Sequence, residues 1–200
     1  MGASASVVSQ QLTLFEEAVL KNIAEIRTRE GRLLLIKRLQ TRLNHFNGNE
    51  YNDPNGSGAT QITKEGKAAV HDSIKYLKRG KWIHAIDDDT EADEAPTLES
   101  EFSTVPCPAL RASSEDHCFD VGTVGIASHE SSTGIFHVER IQRYAWWREI
   151  CSEVIFYGTL EVDEKRTLEC VAQRVIDDLI VDDGVPSRGH RVALFNPRLK

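Results

Sequence analysis

No apolar run in the chain approaches the roughly 20 residues needed to cross a bilayer. The first residues also lack the basic stretch and apolar core of a secretory signal, so the chain as given is expected in the cytosol. Basic residues are too few for a nucleic-acid groove: 24 Lys and Arg stand against 31 Asp and Glu, a net charge of -7. The four cysteines, Cys107, Cys118, Cys151 and Cys170, form no CxxC pair and no zinc-finger spacing, which argues against a thiolate metal site. In a reducing compartment they stay thiols; export would allow two disulfides, in three pairings that the sequence does not separate. No glycine cluster follows a strand and opens a helix, which excludes P-loop and dinucleotide sites. No G-x-S-x-G turn is present either, so the serines near histidines do not make a hydrolase triad.

What is there suits one domain. Two hundred residues, 40% of them hydrophobic, are enough for a single sizeable core and hardly enough for two. The expected organisation is a flexible tail over residues 1–12 and one domain over 13–200. The tail opens Met1-Gly2-Ala3-Ser4-Ala5-Ser6, which fits N-myristoylation at Gly2. One acyl chain with no basic cluster behind it holds a membrane reversibly, so attachment would be peripheral, on the cytosolic face. Residues 87–108 are acidic, carry prolines at 96, 106 and 108, and read as an exposed loop.

Thr13-Leu14-Phe15-Glu16 has the pattern of a capping box, so a helix is expected over 13–28 with Phe15, Val19, Ile23 and Ile26 on one face. A second helix follows a break at Gly31, with Leu33, Leu34, Ile36, Leu39, Leu43 and Phe46 as its stripe. After a turn-rich loop, a third runs from Thr63 to Gly80, with Ala69, Val70, Ile74 and Leu77 inward. Further helices are expected over 109–120, closing at Gly122, over 135–145, and over 166–181. Trp146-Trp147 reads as core and rim packing. Val154-Ile155-Phe156-Tyr157 is β-branched and aromatic without alternation, the pattern of a strand buried on both faces. No repeat or low-complexity tract is present.

Three residues carry the candidate chemistry. His129 stands in a loop of small residues, 126–134; Glu153 precedes the expected strand; His190 lies in Arg188-Gly189-His190-Arg191, beyond the helix that Gly184 is expected to end. Read alone, His190 is as readily a loop histidine among solvated arginines. No i, i+4 histidine pair is present, so any site must be assembled by the fold.

Taken in order, several segments resemble the CAP superfamily, which joins cysteine-rich secretory proteins, antigen 5 and pathogenesis-related proteins, in its protist and bacterial SCP-like branch. The segments are the opening helix with Asn22 and Arg27, Thr63-Lys64-Glu65-Gly66, and Ile74-Lys75-Tyr76-Leu77-Lys78. Leu110, His117-Cys118-Phe119-Asp120-Val121-Gly122, Gly125-Ile126-Ala127-Ser128-His129 and Thr133-Gly134 follow. The series closes with Arg140-Ile141-Gln142-Arg143-Tyr144, Ser152-Glu153-Val154-Ile155-Phe156-Tyr157-Gly158 and Asp182 to Arg191. Asp182-Asp183-Gly184-Val185-Pro186-Ser187-Arg188-Gly189-His190-Arg191 is its most specific member.

The resemblance implies an α+β fold, a helix-rich α-β-α sandwich with a cleft of two histidines and acidic residues that holds zinc or another divalent metal. By position, the metal ligands would be His129, His190 and Glu153, with His117 near the cleft and the second acid among Asp178, Asp182 and Asp183. Imidazoles with a carboxylate suit zinc better than an all-oxygen calcium cage. The implied function is a binding protein engaging a lipid, a sterol, a protein partner or a second copy of itself. The alternatives are a zinc-dependent hydrolase with Glu153 as general base, and an interaction module without a working cleft. Three departures stand out: Ser152-Glu153-Val154 replaces the family's Gly-Glu-Asn turn, the first helix offers only Asn22 of its His-Asn start, and relatives continue past Lys200 into a further core strand. A truncated or divergent domain is therefore expected. Membrane-attached intracellular relatives also begin with a Met-Gly-x-Ser-Ala-Ser-like sequence.

Overall fold

The computed structural model describes residues 5–54, 58–79, 105–158, 162–163 and 166–199. In chain order the helices are α1 (Ala5–Arg27), α2 (Arg29–Arg42), α3 (Lys67–Arg79), α4 (Pro108–Val124), α5 (His137–Gln142), α6 (Leu168–Val181) and α7 (Gly189–Leu194). Between α2 and α3 lies an antiparallel sheet of β1 (Phe46–Asn47), β2 (Glu50–Tyr51) and β3 (Gln61–Ile62), in which Phe46 pairs with Tyr51 and Glu50 with Ile62. The chain is thus α+β and rich in helix. Most of the acidic segment of 87–108, and Gly80, lie outside the described residues. No described helix is long and apolar enough to cross a membrane.

Helix α6 is the centre of the packing. Its apolar residues recur at helical spacing, and Val175, Ile176, Leu179 and Ile180 meet Ile26 of α1, Leu35 and Leu39 of α2, and Val70 and Ile74 of α3 in one core. Thr167 caps it, its hydroxyl accepting from the Cys170 amide at 3.3 Å. Two ion pairs fasten α6 to α2: Arg38 grips Asp177 through Nε and Nη2 at 3.1 and 2.7 Å, and Arg42 reaches Asp178. Asp178 therefore faces α2 and pairs with Arg42, not with His190.

The first helices depart from the expected phasing. Helix α1 begins at Ala5, so Thr13 lies inside it and does not mark its start. The break to α2 falls at Thr28, whose side chain accepts from the Gly31 amide at 3.0 Å, placing Gly31 in the first turn of α2. A Cβ at Gly31 would lie 1.8 Å from the Glu25 carbonyl oxygen, so the junction itself needs glycine there. With the break moved, Leu35 and Leu39 are fully buried while Leu33 and Leu34 face outward. The run Leu33-Leu34-Leu35-Ile36 has no periodicity of its own, and the position of the helix start decides which residues turn inward.

Later elements also shift. Helix α4 extends past Gly122 to Val124 and closes on Gly125 at φ 69°. The helix expected over 135–145 is only the short α5, and Trp146 is fully exposed, not packed. Val154-Ile155-Phe156-Tyr157 forms no strand among the described residues. Val154 and Phe156 instead pack one-sidedly against the core. Helix α6 ends on Asp182, not Gly184: Asp182 takes the left-handed conformation at φ 57° and ψ 44°. His190 is consequently not in a loop but in the first turn of α7.

Candidate metal centre

Five side chains from separated parts of the chain meet beside α5 and α7. His129 donates or accepts through Nδ1 with Glu153 Oε1 at 2.9 Å, and its ring centroid lies 6.2 Å from that of His190. Glu153 offers its second oxygen to Nη2 of Arg140, a buried side chain of α5. The fifth is His137, 5.9 Å from His129 ring to ring, and the donor atoms of His129, His137 and Glu153 all lie within 4.8 Å of one another.

Local structure explains why His129 and His137 meet. Glu130 and Phe136 form an antiparallel bridge, closed by the Ser131 amide donating to the Ile135 carbonyl at 2.9 Å and by a turn through Gly134 at φ 82°. The residues flanking such a bridge stand opposite each other, so the step before Glu130 faces the step after Phe136. Ser128 fixes the loop from the other side. Its carbonyl accepts from His117 Nε2 at 2.8 Å and its amide donates to Tyr157 Oη at 2.8 Å. His117 thus holds the His129 loop from behind and is not in the group of potential ligands.

His190 is positioned by Asp182. The Asp182 side chain is fully buried, and Oδ1 lies 2.8 Å from His190 Nδ1, leaving Nε2 as the ring nitrogen directed elsewhere. Arg191 completes the corner: its buried guanidinium donates to the Ile180 and Val181 carbonyls at 2.6 and 3.0 Å and to Asp72 at 3.0 Å, satisfying free carbonyls at the end of α6. Asp183 points away, accepting from the Lys64 and Glu65 amides at 2.7 and 2.8 Å. Of the three candidate acids, Asp182 is the one beside His190. Gly2 lies outside the described residues.

The donor set fits a divalent metal such as zinc. Burial pushes the His137 imidazole below its ordinary value of 6.5, so it is neutral at pH 7, the form that ligates. Its Nδ1 is buried and no described group hydrogen-bonds to it, which is costly unless a further partner takes the lone pair. The Asp182–His190 and Glu153–His129 contacts are also the carboxylate–imidazole pairs that orient metal-binding histidines. His137 and Arg140 were not among the residues picked from the sequence as ligands. The turn at Thr133-Gly134, four and five residues after His129, folds the loop back so that His137, eight residues on, returns to it.

The four cysteines are free, Cys107, Cys118 and Cys170 being exposed. Compared with protein-family models, curated proteins and solved structures, the chain matches none.

Proposed function

We propose that the chain is a CAP/SCP-like binding protein, an α-β-α domain whose cleft holds zinc or another divalent metal and engages a lipid, a sterol or a protein partner. The observation that carries this reading is the group of His129, His137 and Glu153, whose donor atoms lie within 4.8 Å of one another, with the His190 ring 6.2 Å from that of His129 and outside the group. His129 and Glu153, both singled out by the ordered resemblance, are in hydrogen-bond contact, and His137 supplies a neutral imidazole beside them. A bound zinc supplies a fixed positive charge and Lewis acidity there. The chain's own part is to keep the imidazoles oriented, through Glu153 for His129 and Asp182 for His190.

Hydrolysis with Glu153 as general base is the weaker reading. Glu153 Oε1 meets His129 and Oε2 meets Arg140, an arrangement that suits an anchored ligand or orienting carboxylate better than a mobile general base. An interaction module with no working cleft would leave the clustering of His129, His137 and Glu153 without a role.

Zinc titration of the purified wild type against a His129→Ala/His190→Ala double variant tests the site. Saturable binding is expected in the wild type and its loss in the variant; equal affinity in both overturns the shared site. Acylation of Gly2 belongs to the same reading. Intact mass after co-expression with an N-myristoyltransferase is expected to show the added acyl chain, and a persistently unmodified Gly2 rejects it.

A further inference from the structure

A cavity of about 360 Å³ opens between α4, α5 and the loop of 131–135. None of His129, His137, Glu153 and His190 lines it. Helix α4 supplies one wall, on which Asp116, Phe119 and Asp120 fall at i, i+3 and i+4 and so share one face of the helix. Phe119 is 77% exposed, a large apolar surface left beside a polar hollow. Arg143, at the end of α5, adds an exposed guanidinium, and Ile135 adds a half-buried apolar side chain. Arg140 and His117 belong to the lining too, but the nitrogens they leave without partners are buried, so contact with a ligand falls to the exposed groups.

The mixed charge of the lining selects against simple ions. An anion would suit Arg143 but meet two carboxylates, and a cation would suit the carboxylates but meet Arg143. A hydroxyl both donates and accepts, so a neutral ligand rich in hydroxyls can give hydrogens to Asp116 and Asp120 and lone pairs to Arg143. The two carboxylates are already held in place: Asp116 accepts from the Tyr144 hydroxyl, and Asp120 accepts from the Ser132 amide at 2.7 Å and from the Ser132 hydroxyl. Each keeps lone pairs for further donors, and their fixed positions lower the ordering cost of binding. Phe119 and Ile135 ask for something different, an apolar face, and the negative face of the phenyl ring attracts C–H bonds. Hydroxyls around a rim with C–H bonds on a rigid face describe a pyranose ring. A volume near the lower end of the roughly 300–1,000 Å³ of small-molecule sites suits one such ring and not a chain of them.

We propose that this cavity binds a single neutral pyranose ring, free or at the end of a glycan, with its hydroxyls on Asp116, Asp120 and Arg143 and its C–H face on Phe119. A linear polyol carries the same hydroxyls but has no rigid face for Phe119 and more rotors to freeze. The site stands independently of the metal reading, because no group it uses belongs to the set of His129, His137 and Glu153.

The test titrates the full-length protein with the methyl glycosides of glucose, galactose, mannose and N-acetylglucosamine, with sorbitol, acetate and spermidine as controls. The backbone amides of Phe119 and Arg143 are followed by NMR. Saturable binding of at least one methyl pyranoside is expected, with a Kd of about 1 mM, as suits a small ligand with few contacts, and with movement of both amides. Phe119→Ala and Arg143→Met are each expected to weaken it about fivefold, through loss of the ring face and of the donors respectively. Both residues are exposed, so the fold survives the substitutions, and the amide spectrum of each variant verifies it. A trisaccharide ending in the preferred residue separates the two sources: binding at least about tenfold tighter assigns the site to a glycan end, and a smaller gain assigns it to the free ring. Four results each overturn the proposal: no pyranoside saturates, a control binds as tightly as the best pyranoside, the two amides stay unmoved, or either variant keeps wild-type affinity. No metal enters these titrations, so failure of the zinc reading would leave every outcome unchanged.

Discussion

Asp182 holds His190 at two points: Oδ1 lies 2.8 Å from the ring Nδ1, and Oδ2 accepts from the His190 amide at 3.1 Å. One buried carboxylate thus ends α6 in a left-handed turn, starts α7 and fixes the plane of the His190 ring. Asn tolerates the left-handed conformation and keeps an acceptor for the amide, whereas Ala does neither. Asp182→Asn is expected to cost about 1 kcal/mol and Asp182→Ala about 2–3 kcal/mol in denaturant unfolding. If the zinc reading holds, Asp182→Asn also weakens zinc about tenfold through the freed His190 ring. Identical stabilities for the two variants would remove Asp182 from this role.

Gly31 offers a sharper steric test. Its missing Cβ leaves room for the Glu25 carbonyl oxygen, which would otherwise stand at 1.8 Å, so Gly31→Ala must force α1 and α2 apart. A loss of about 2–3 kcal/mol is expected, in the range of overpacked core sites. Gly122, inside α4 with nothing within 4 Å of its would-be Cβ, is the control. There Ala is expected to stabilise by about 0.5 kcal/mol through helix propensity. A pair of urea midpoints that move in the same direction would contradict the geometry.

These two sites mark how far the sequence could be read. Helices α3 and α6 were legible because their apolar residues recur at one helical period and their boundaries carry turn or capping residues, as the inward Ala69, Val70, Ile74 and Leu77 show. Helix α2 was misphased because four consecutive apolar residues carry no period, and only the cap at Thr28 sets the register. The segment 154–157 has strand-like residues but meets no partner strand among the described residues; propensity without a ladder does not make a sheet. In the site, His129, Glu153 and His190 were singled out through ordered resemblance, and the fold sets His129 in contact with Glu153 and 6.2 Å, ring to ring, from His190. His137 was not, because its approach to His129 depends on one bridge between Glu130 and Phe136 that no local pattern encodes.

His137 gives the next expectation. If it ligates with His129 and Glu153, His137→Phe removes one donor while leaving a ring of similar bulk against the site, so zinc affinity falls at least about tenfold with little change in the metal-free fold. Competition with a chromogenic chelator measures it. Unchanged zinc affinity would confine His137 to packing and leave His129, His190 and Glu153 as the set.

The last expectation concerns acid. Glu65 clasps Arg188 with both oxygens, at 2.7 and 2.6 Å, and accepts the Gly184 amide at 2.7 Å. The Arg188 hydrogen bonds, and then the Gly184 amide, hold its carboxyl down to about 2 from an ordinary 4.5. Arg188 itself sits in the left-handed region at φ 52°, a conformation that the clasp and the Arg188 contact to the Asp182 carbonyl at 2.6 Å help maintain. Because the folded-state value is depressed, the unfolded chain binds the proton more readily. The contribution of Glu65 is therefore fully present above pH 4.5 and is lost as pH falls towards about 2. Glu65→Gln is expected to be less stable than the wild type at pH 7 by about 1 kcal/mol, a small figure because the pair is partly open to solvent. Between pH 4.5 and about 2 the two unfolding curves should converge, since protonation does to the wild type what the substitution has already done. A gap that stays constant across that window would mean that Glu65 supports the α7 corner by packing and not by charge.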